Sequence, residues 1–355
     1  MSPQPDVIRG VTIAGTGRYV PERVLTNHDL AQLVETSDEW IVERTGIRQR
    51  HIAAPDQASS DLALIACQRA LDMAGLEPTQ VDQIILATTT PDRILPSCAC
   101  TLQQKLGAKR AAAYDMFAAC TGFVFGLGQA RGLIGAGVAD TVLVIGVETL
   151  SRIVDYTDRN TCVLFGDGAG AAVLRAAPPG EGLHAIDMHS DGELGEVLEV
   201  PSGISRNPAT SETVAGREHF IRMQGKKLFP FAVRSMVESL GICLERSGWG
   251  ADDLDLFIPH QANLRIIDGV RERLSLDPSK CVVNIERYGN TSSASIPIAL
   301  DEVVRAGRLR KGQKLGLAAF GGGATWGAAT MTWTLPLEVS TRVAEPATAV
   351  REVSA

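Results

Sequence analysis

Short apolar runs bounded by glycine alternate with longer amphipathic stretches along the chain. Val11–Gly17 (VTIAGTG) predicts an opening strand. Apolar spacing over Leu62–Met73 predicts a helix that stops at Gly75, and Gln83–Thr88 predicts the strand after it. A further helix is expected over Cys120–Ile134, ended by Gly135 and Gly137. Thr141–Val147 then predicts a strand covered on both faces. Strands alternating with helices from end to end predict an α/β protein.

The pattern occurs twice. At a fixed offset of 173, ALDMAGLEPTQVDQII (Ala70–Ile85) matches CLERSGWGADDLDLFI (Cys243–Ile258). Leu71 falls on Leu244, Gly75 on Gly248, Asp82 on Asp255, and the Ile84–Ile85 pair on Phe257–Ile258. A second pair is VLFGDGAGAAVL (Val163–Leu174) with LAAFGGGATWGAATM (Leu317–Met331), each read as strand, Gly-rich turn and strand. Two matches in the same order predict a duplicated α/β unit. RAAPPGEG (Arg175–Gly182) breaks the pattern, so the halves are expected at 1–178 and 179–338, with 339–355 a flexible tail. Pro201–Gly216 has no clean period and is expected to be a surface loop.

Composition narrows the function. The chain has 355 residues, 45% hydrophobic and 21% charged, the mix of a globular protein with a sizeable core. No apolar run reaches the roughly 18 residues of a membrane span, and MSPQPDVIRG lacks a signal peptide's basic start and apolar core. Seven scattered cysteines fit a reducing compartment, so a cytoplasmic location is expected. A formal charge of −7 argues against nucleic-acid binding.

Three residues at loop ends carry candidate chemistry. Cys120 lies where strand-like YDMFA enters a helix. Free N–H groups at a helix start favour thiolate, the form that attacks acyl groups. A lone cysteine is nonetheless as often an inert core residue. His260 follows the apolar run ending at Pro259, at the kind of strand end where ligands meet an α/β sheet. Alone it reads equally as a structural histidine. Asn290, after Gly289, offers an amide or simply an N-cap. Consecutive glycines in FGGGATWGA (Phe320–Ala328) expose backbone N–H groups. Without a following Gly-Lys-Ser/Thr they suit an oxyanion better than a phosphate. GDGAG (Gly166–Gly170) reads as close packing. Neither HxxH nor paired CxxC spacing occurs, so no metal is expected, and Cys98 and Cys100 are read as helix packing.

Taken together, these stretches resemble β-ketoacyl-acyl-carrier-protein synthase III, the initiating condensing enzyme of fatty-acid synthesis. The likeness runs from Val11 to Leu335. It rests on DEWIVERTGIRQRHIA (Asp38–Ala53), AACTGF (Ala118–Phe123), DRNTCVLFGDGAGAAVL (Asp158–Leu174), PHQANLRII (Pro259–Ile267), YGNTSSASIP (Tyr288–Pro297) and AFGGGATWGA (Ala319–Ala328). The resemblance implies a thiolase-like fold, two similar halves in a five-layered αβαβα core, and a homodimer. It implies that Cys120 takes an acyl primer from acyl-CoA. His260 and Asn290 then support decarboxylative condensation with malonyl-acyl-carrier protein, and an oxyanion hole forms at the Cys120 and Gly322 N–H groups. It places CoA against Trp40, Arg44, Thr45, Arg159, Phe229 and Asn263. Acyl-CoA is a substrate, so no cofactor is implied.

The acyl pocket would involve Leu95, Leu150 and Phe165, with Leu95 reaching into the partner's pocket where relatives often carry Phe. Thr121 replaces a common Ala, and Lys226 stands where some relatives have Asn. Arg265, Arg271 and Arg273 are expected to steer an acidic carrier protein, against a plainer reading as a solvated helix face. The intact GNTSS favours condensation over the alternative, a secondary-metabolism relative handling other acyl groups. Cys120 argues against a non-catalytic partner subunit.

Overall fold

A computed structural model describes residues 9–337. The expected tail at 339–355 lies outside the described residues. The principal strands are β1 (Gly10–Tyr19), β2 (Gln83–Ala87), β3 (Ala112–Met116), β4 (Thr141–Glu148), β5 (Gly168–Ala177), β6 (Leu183–Ser190), β7 (Leu256–Pro259), β8 (Lys314–Gly321) and β9 (Thr325–Thr332). The helices that matter here are α1 (Asp38–Thr45), α2 (Ser59–Ala74), α3 (Cys98–Leu106), α4 (Gly122–Gly135), α5 (Gly225–Ser247), α6 (Leu264–Arg273) and α7 (Ser295–Arg305).

One sheet has the order β1-β5-β4-β2-β3 and the other β7-β8-β9-β6. In each, a parallel part is continued by two antiparallel strands: β4 with β5 and β1, and β8 with β9 and β6. Helices α4 and α7 lie between the sheets, and α2, α3, α5 and α6 cover the outer faces. The result is the five-layered thiolase-like fold. Strand β4 is buried at every position, which is why its sequence runs apolar instead of alternating. The middle layer packs Phe123, Leu127 and Ile134 of α4 and Ile296, Leu300 and Val304 of α7 against both sheets. Helix α4 is apolar along most of its length, with Gln129 and Arg131 its only polar side chains, which suits a layer covered by sheets on both sides.

The first repeat matches the structure residue for residue. Helices α2 and α5 both end on a left-handed glycine, Gly75 at φ +66° and Gly248 at φ +69°, and each leads through a 3-10 turn into β2 or β7. The second pairing is only half right. LAAFGGGATWGAATM is β8, turn and β9, but Val163–Leu164 is turn, not strand, and Phe165 makes only an isolated bridge to Asn290. The counterpart of β8 is β4, and residues 149–167 are inserted before β5. That insertion carries residues of the site, so local apolar content resembled a strand that tertiary structure uses as a wall. Pro201–Gly216 also differs from a plain loop: Ser211–Ala215 is helical, with Thr210 forming a capping box. No described helix is long and apolar enough to cross a membrane.

The halves meet around Gly146 of β4. A Cβ there would overlap the carbonyl oxygen of Ser293, so glycine lets the segment before α7 lie directly on the first sheet. GDGAG does pack closely, with Gly170 against Pro297 and Gly168 against Ile298.

Candidate active site

Cys120 sits in a 3-10 turn, Ala119–Thr121, that runs straight into α4. The turn is tight enough to hold Ala119 at φ +45°, a conformation that costs a non-glycine residue about 1 kcal/mol. Thr121 is fully buried. Its hydroxyl donates to Ala118 O at 2.6 Å and lies 2.8 Å from Thr325 Oγ1, tying the turn to the start of β9. Gly321 ends β8 against this turn, and a Cβ on it would lie 2.6 Å from the Cys120 backbone N. Neither backbone can yield easily. Gly321→Ala is therefore expected to cost about 1–3 kcal/mol of stability and to slow acylation of Cys120. Thermal unfolding checks the first effect, and an unchanged melting temperature would show that the two backbones can part.

His260 follows β7. It is buried, and its Nδ1 lies 2.6 Å from Ser295 Oγ at the start of α7. Ser295 Oγ also accepts the Gln261 N–H at 3.3 Å, which leaves its own proton for Nδ1. That arrangement places the ring proton on Nε2. Burial lowers the His260 pKa to about 3, so the ring is a neutral donor and not an imidazolium. Asn290 is not an N-cap. Its Oδ1 accepts the Ser292 N–H at 2.8 Å, which turns its NH₂ group away and leaves it available.

Cys120, His260 and Asn290 come together in one cavity that opens to solvent at its mouth. Phe165, Phe229, Asn263 and Gly321 share its lining with apolar Met223 and Met236. Cys120 is the only cysteine among the residues lining it. The thiol is not acidified as the helix start suggested. Burial pushes it up to about 12, as it does Cys243 and Cys281. A helix terminus contributes about 1 kcal/mol, under one pKa unit, whereas full burial moves a group by about 3–5. Placement in the cavity, not acidity, sets Cys120 apart.

The other candidates divide. Arg44 and Arg159 both lie over the Trp40 ring, at 4.7 and 5.4 Å. Asn263 caps α6 through Arg265 N and donates to Arg44 O at 3.0 Å, which links the cavity wall to α1. Thr45 is buried, its hydroxyl donating to Ile41 O and accepting from Ile47 N. Gly322 lines a smaller neighbouring pocket, one residue beyond the glycine against Cys120. Leu150 packs in the core, and Leu95 is 85% exposed, outside the cavity of its own chain. Arg265 stacks over Phe229 at 5.8 Å, and Arg273 lines a groove between α5 and α6. Arg271 pairs with Asp268 and Glu272 of its own helix. Lys226 is exposed. Cys98 packs inside at the head of α3, but Cys100 is exposed, so helix packing explains only the first.

Ser292, Ser295 and Glu148 are parts of the site that the sequence reading passed over. Glu148 carried one signal, a charge closing the apolar run TVLVIGV.

A duplicated five-layered α/β fold with a cysteine heading its central helix is that of the thiolase-type acyl-transfer enzymes. The family model for 3-oxoacyl-[acyl-carrier-protein] synthase III matches residues 114–192, and that for its C-terminal part matches residues 244–333. β-Ketoacyl-[acyl-carrier-protein] synthase III of Desulfitobacterium hafniense is 52% identical over 323 residues, 91% of this chain and 98% of the relative. The crystal structure of the Aquifex aeolicus VF5 synthase III is 45% identical, with a TM-score of 0.85 over 91% of this chain and 100% of that one. The priming β-ketosynthase of the R1128 polyketide pathway is 33% identical, with a TM-score of 0.87 over 95% and 100%. The chain belongs to the β-ketoacyl-[acyl-carrier-protein] synthase III family.

Proposed function

We propose that this enzyme initiates fatty-acid synthesis, moving an acyl primer from acyl-CoA to Cys120 and condensing it with malonyl-acyl-carrier protein. The observation that carries this reading is the meeting of Cys120, neutral His260 and Asn290 in one largely apolar cavity. Cys120 Sγ attacks the thioester carbon and CoA leaves. The malonyl thioester then enters with its carbonyl oxygen between His260 Nε2–H and Asn290 Nδ2. Loss of CO₂ places negative charge on that oxygen, where two fixed donors in a water-poor cavity stabilise it. The resulting carbanion attacks the acyl-Cys carbonyl, whose oxyanion faces the backbone N–H groups of Cys120 and Gly322. Release of the thiolate gives the β-ketoacyl carrier. The chemistry requires no cofactor or metal.

Trp40, Arg44 and Arg159 form a stacked surface suited to the adenine end of CoA, and Phe229 and Asn263 line the way inward. Arg265 and Arg273, at the mouth, suit an acidic carrier protein. Exposed Ile94, Leu95 and Phe117 support a homodimer. The loop bearing the first two is anchored through α3 to Asp115 of the edge strand β3, which Phe117 follows. Leu95 would then reach the partner's cavity. The enzyme works in the cytoplasm with its soluble substrates, without nucleic acid or membrane. Identity of 52% to the fatty-acid enzyme, against 33% to the polyketide one, favours the first pathway.

The test is the mass of malonyl-carrier protein after incubation with the enzyme and a panel of acyl-CoAs. A β-ketoacyl carrier is expected, and its mass names the primer. An unchanged carrier beside an acylated enzyme would move the reading to a different acceptor.

A further inference from the structure

A fully buried carboxylate, Glu148, ends β4 against the turn that follows Asn290. Its Oε2 accepts from Thr88 Oγ1 at 3.3 Å, Thr89 N at 3.0 Å, Thr89 Oγ1 at 2.9 Å and Thr90 Oγ1 at 2.8 Å. Its Oε1 accepts from Ser292 Oγ at 3.0 Å and Ser293 Oγ at 3.2 Å. Thr90 Oγ1 in turn accepts the Thr149 N–H, and Thr88 Oγ1 the Thr90 N–H, so both hydroxyls have their protons free to donate. Burial works against a charge here and the hydroxyls work for it. Acceptance on both oxygens leaves no place for a carboxyl proton, and an ionised carboxylate is the side chain that accepts at both ends without a proton of its own. The Oε2 side fixes the carboxylate to the loop after β2. The Oε1 side is aimed at residues 292 and 293.

That turn needs holding. Ser292 lies at φ +48°, in the left-handed region, which a serine keeps only when its surroundings fix it. Glu148 takes its hydroxyl, and the Ser292 N–H donates to Asn290 Oδ1 at 2.8 Å. The main chain of Asn290 is fixed separately: its N–H donates to Leu164 O at 2.8 Å, and its carbonyl accepts from Gly166 N at 3.0 Å. One segment therefore clamps the backbone of Asn290 and another sets its amide plane. The last torsion of an asparagine side chain is broad. Without the Ser292 N–H the Nδ2 group would have no fixed direction.

We infer that Glu148 is a positioning residue for Asn290: by holding Ser292 it keeps the Ser292 N–H on Asn290 Oδ1 and the Nδ2 group turned into the cavity. This rests on the proposed part of Asn290 in decarboxylation. Glu148 acts only through Ser292 and touches no substrate. A donor already fixed in direction needs no reorganisation when charge appears on the enolate oxygen. Its hydrogen bond strengthens as that charge forms, so loss of the positioning should fall on kcat for CO₂ release and spare KM. Acylation of Cys120 does not draw on the Asn290 amide and should change little.

The test is a double-mutant cycle in which labelled CO₂ released from malonyl-carrier protein and acyl mass gained by Cys120 are measured separately. Asn290→Ala is expected to lower kcat for CO₂ release by about 10²–10³-fold, the loss of one donor. Glu148→Gln brings N–H groups against hydroxyls that already donate, and is expected to lower it by about 10–100-fold with KM within about threefold. Ser292→Ala is expected to lower it by about 10-fold. In the Asn290→Ala background Glu148→Gln should add less than about threefold, because the amide it positions is gone. Equal losses from Glu148→Gln in the two backgrounds, or in the two half-reactions, would make Glu148 a purely structural residue and overturn the inference. So would CO₂ release within about threefold of wild type in both single variants. If Glu148→Gln does not fold, Ser292→Ala decides by the same cycle, since it leaves the carboxylate and the Ser292 N–H in place. A readout without substrate is the side-chain amide signal of Asn290 in enzyme labelled with ¹⁵N-asparagine, assigned by its loss in Asn290→Ala. It should shift in Glu148→Gln and in Ser292→Ala, and an unmoved signal in both overturns the inference. If wild type releases no CO₂, the decarboxylation reading fails, and that signal alone decides whether Glu148 sets the amide.

Discussion

Replacing Cys120 with alanine is expected to abolish acyl-enzyme formation and to lower overall condensation by about 10⁵–10⁶-fold, the scale on which loss of a covalent nucleophile is felt. The variant should still fold. Alanine fills most of the space of a buried cysteine, and the turn at Ala119–Thr121 is held by Thr121, Thr325 and Gly321. It should also still decarboxylate malonyl-carrier protein, because His260 keeps Ser295 and Asn290 keeps the Ser292 N–H. Intact mass after incubation with acyl-CoA checks the first half, and release of labelled CO₂ checks the second. An acyl adduct on the variant would assign the nucleophile to another residue. Cys98, Cys162, Cys243 and Cys281 would be poor substitutes, being buried away from the cavity.

Replacing His260 with alanine should produce the opposite split. The neutral ring gives one donor to the enolate oxygen, and a donor of that kind is worth about 3 kcal/mol, or about 10²–10³ in rate. Decarboxylation should fall by that factor or more, since the empty space admits water that competes for Asn290. Acylation should change far less, because burial leaves the ring little basicity toward the thiol and its donor serves the enolate oxygen. The two half-reactions, measured separately, check this. Equal losses in both would mean that the ring also acts on Cys120. The neutral state makes a second point measurable. With a pKa near 3, His260 does not titrate above about pH 5, so decarboxylation should show no limb from it across the neutral range.

The pair of variants therefore separates two devices within one cavity. Acylation depends on moving a proton away from a thiol that burial has made a weak acid. Decarboxylation depends on donors already in place before charge appears. Burial serves the second and hinders the first.

Much of this was legible in the residues themselves. Glycine stops at Gly75 and Gly248 can be read directly, because a left-handed helix end excludes most other side chains. The apolar run of β4 requires cover on both faces wherever it sits. Duplication was legible in the first repeated pattern, Ala70–Ile85 with Cys243–Ile258, and Cys120, His260 and Asn290 stood out at element ends. Other features depended on elements far apart in the chain. Val163–Phe165 has the composition of a strand, yet Leu164 and Phe165 wall the cavity, with Phe165 bridged to Asn290. Thr45 lies in a matching motif, yet its hydroxyl closes a helix end.

The acidity of Cys120 went against the local expectation, since a helix start is a neighbour effect while burial depends on every layer around it. Glu148 and Ser292 lie 144 residues apart and meet only because Gly146 lets the segment before α7 rest on β4. The sequence by itself determined which elements form and which side chains carry chemistry, because propensity, periodicity and functional groups are local properties. Only the tertiary structure decided which of those groups share a cavity and in what protonation state, because desolvation and hydrogen-bond partners come from chain segments that no local pattern connects.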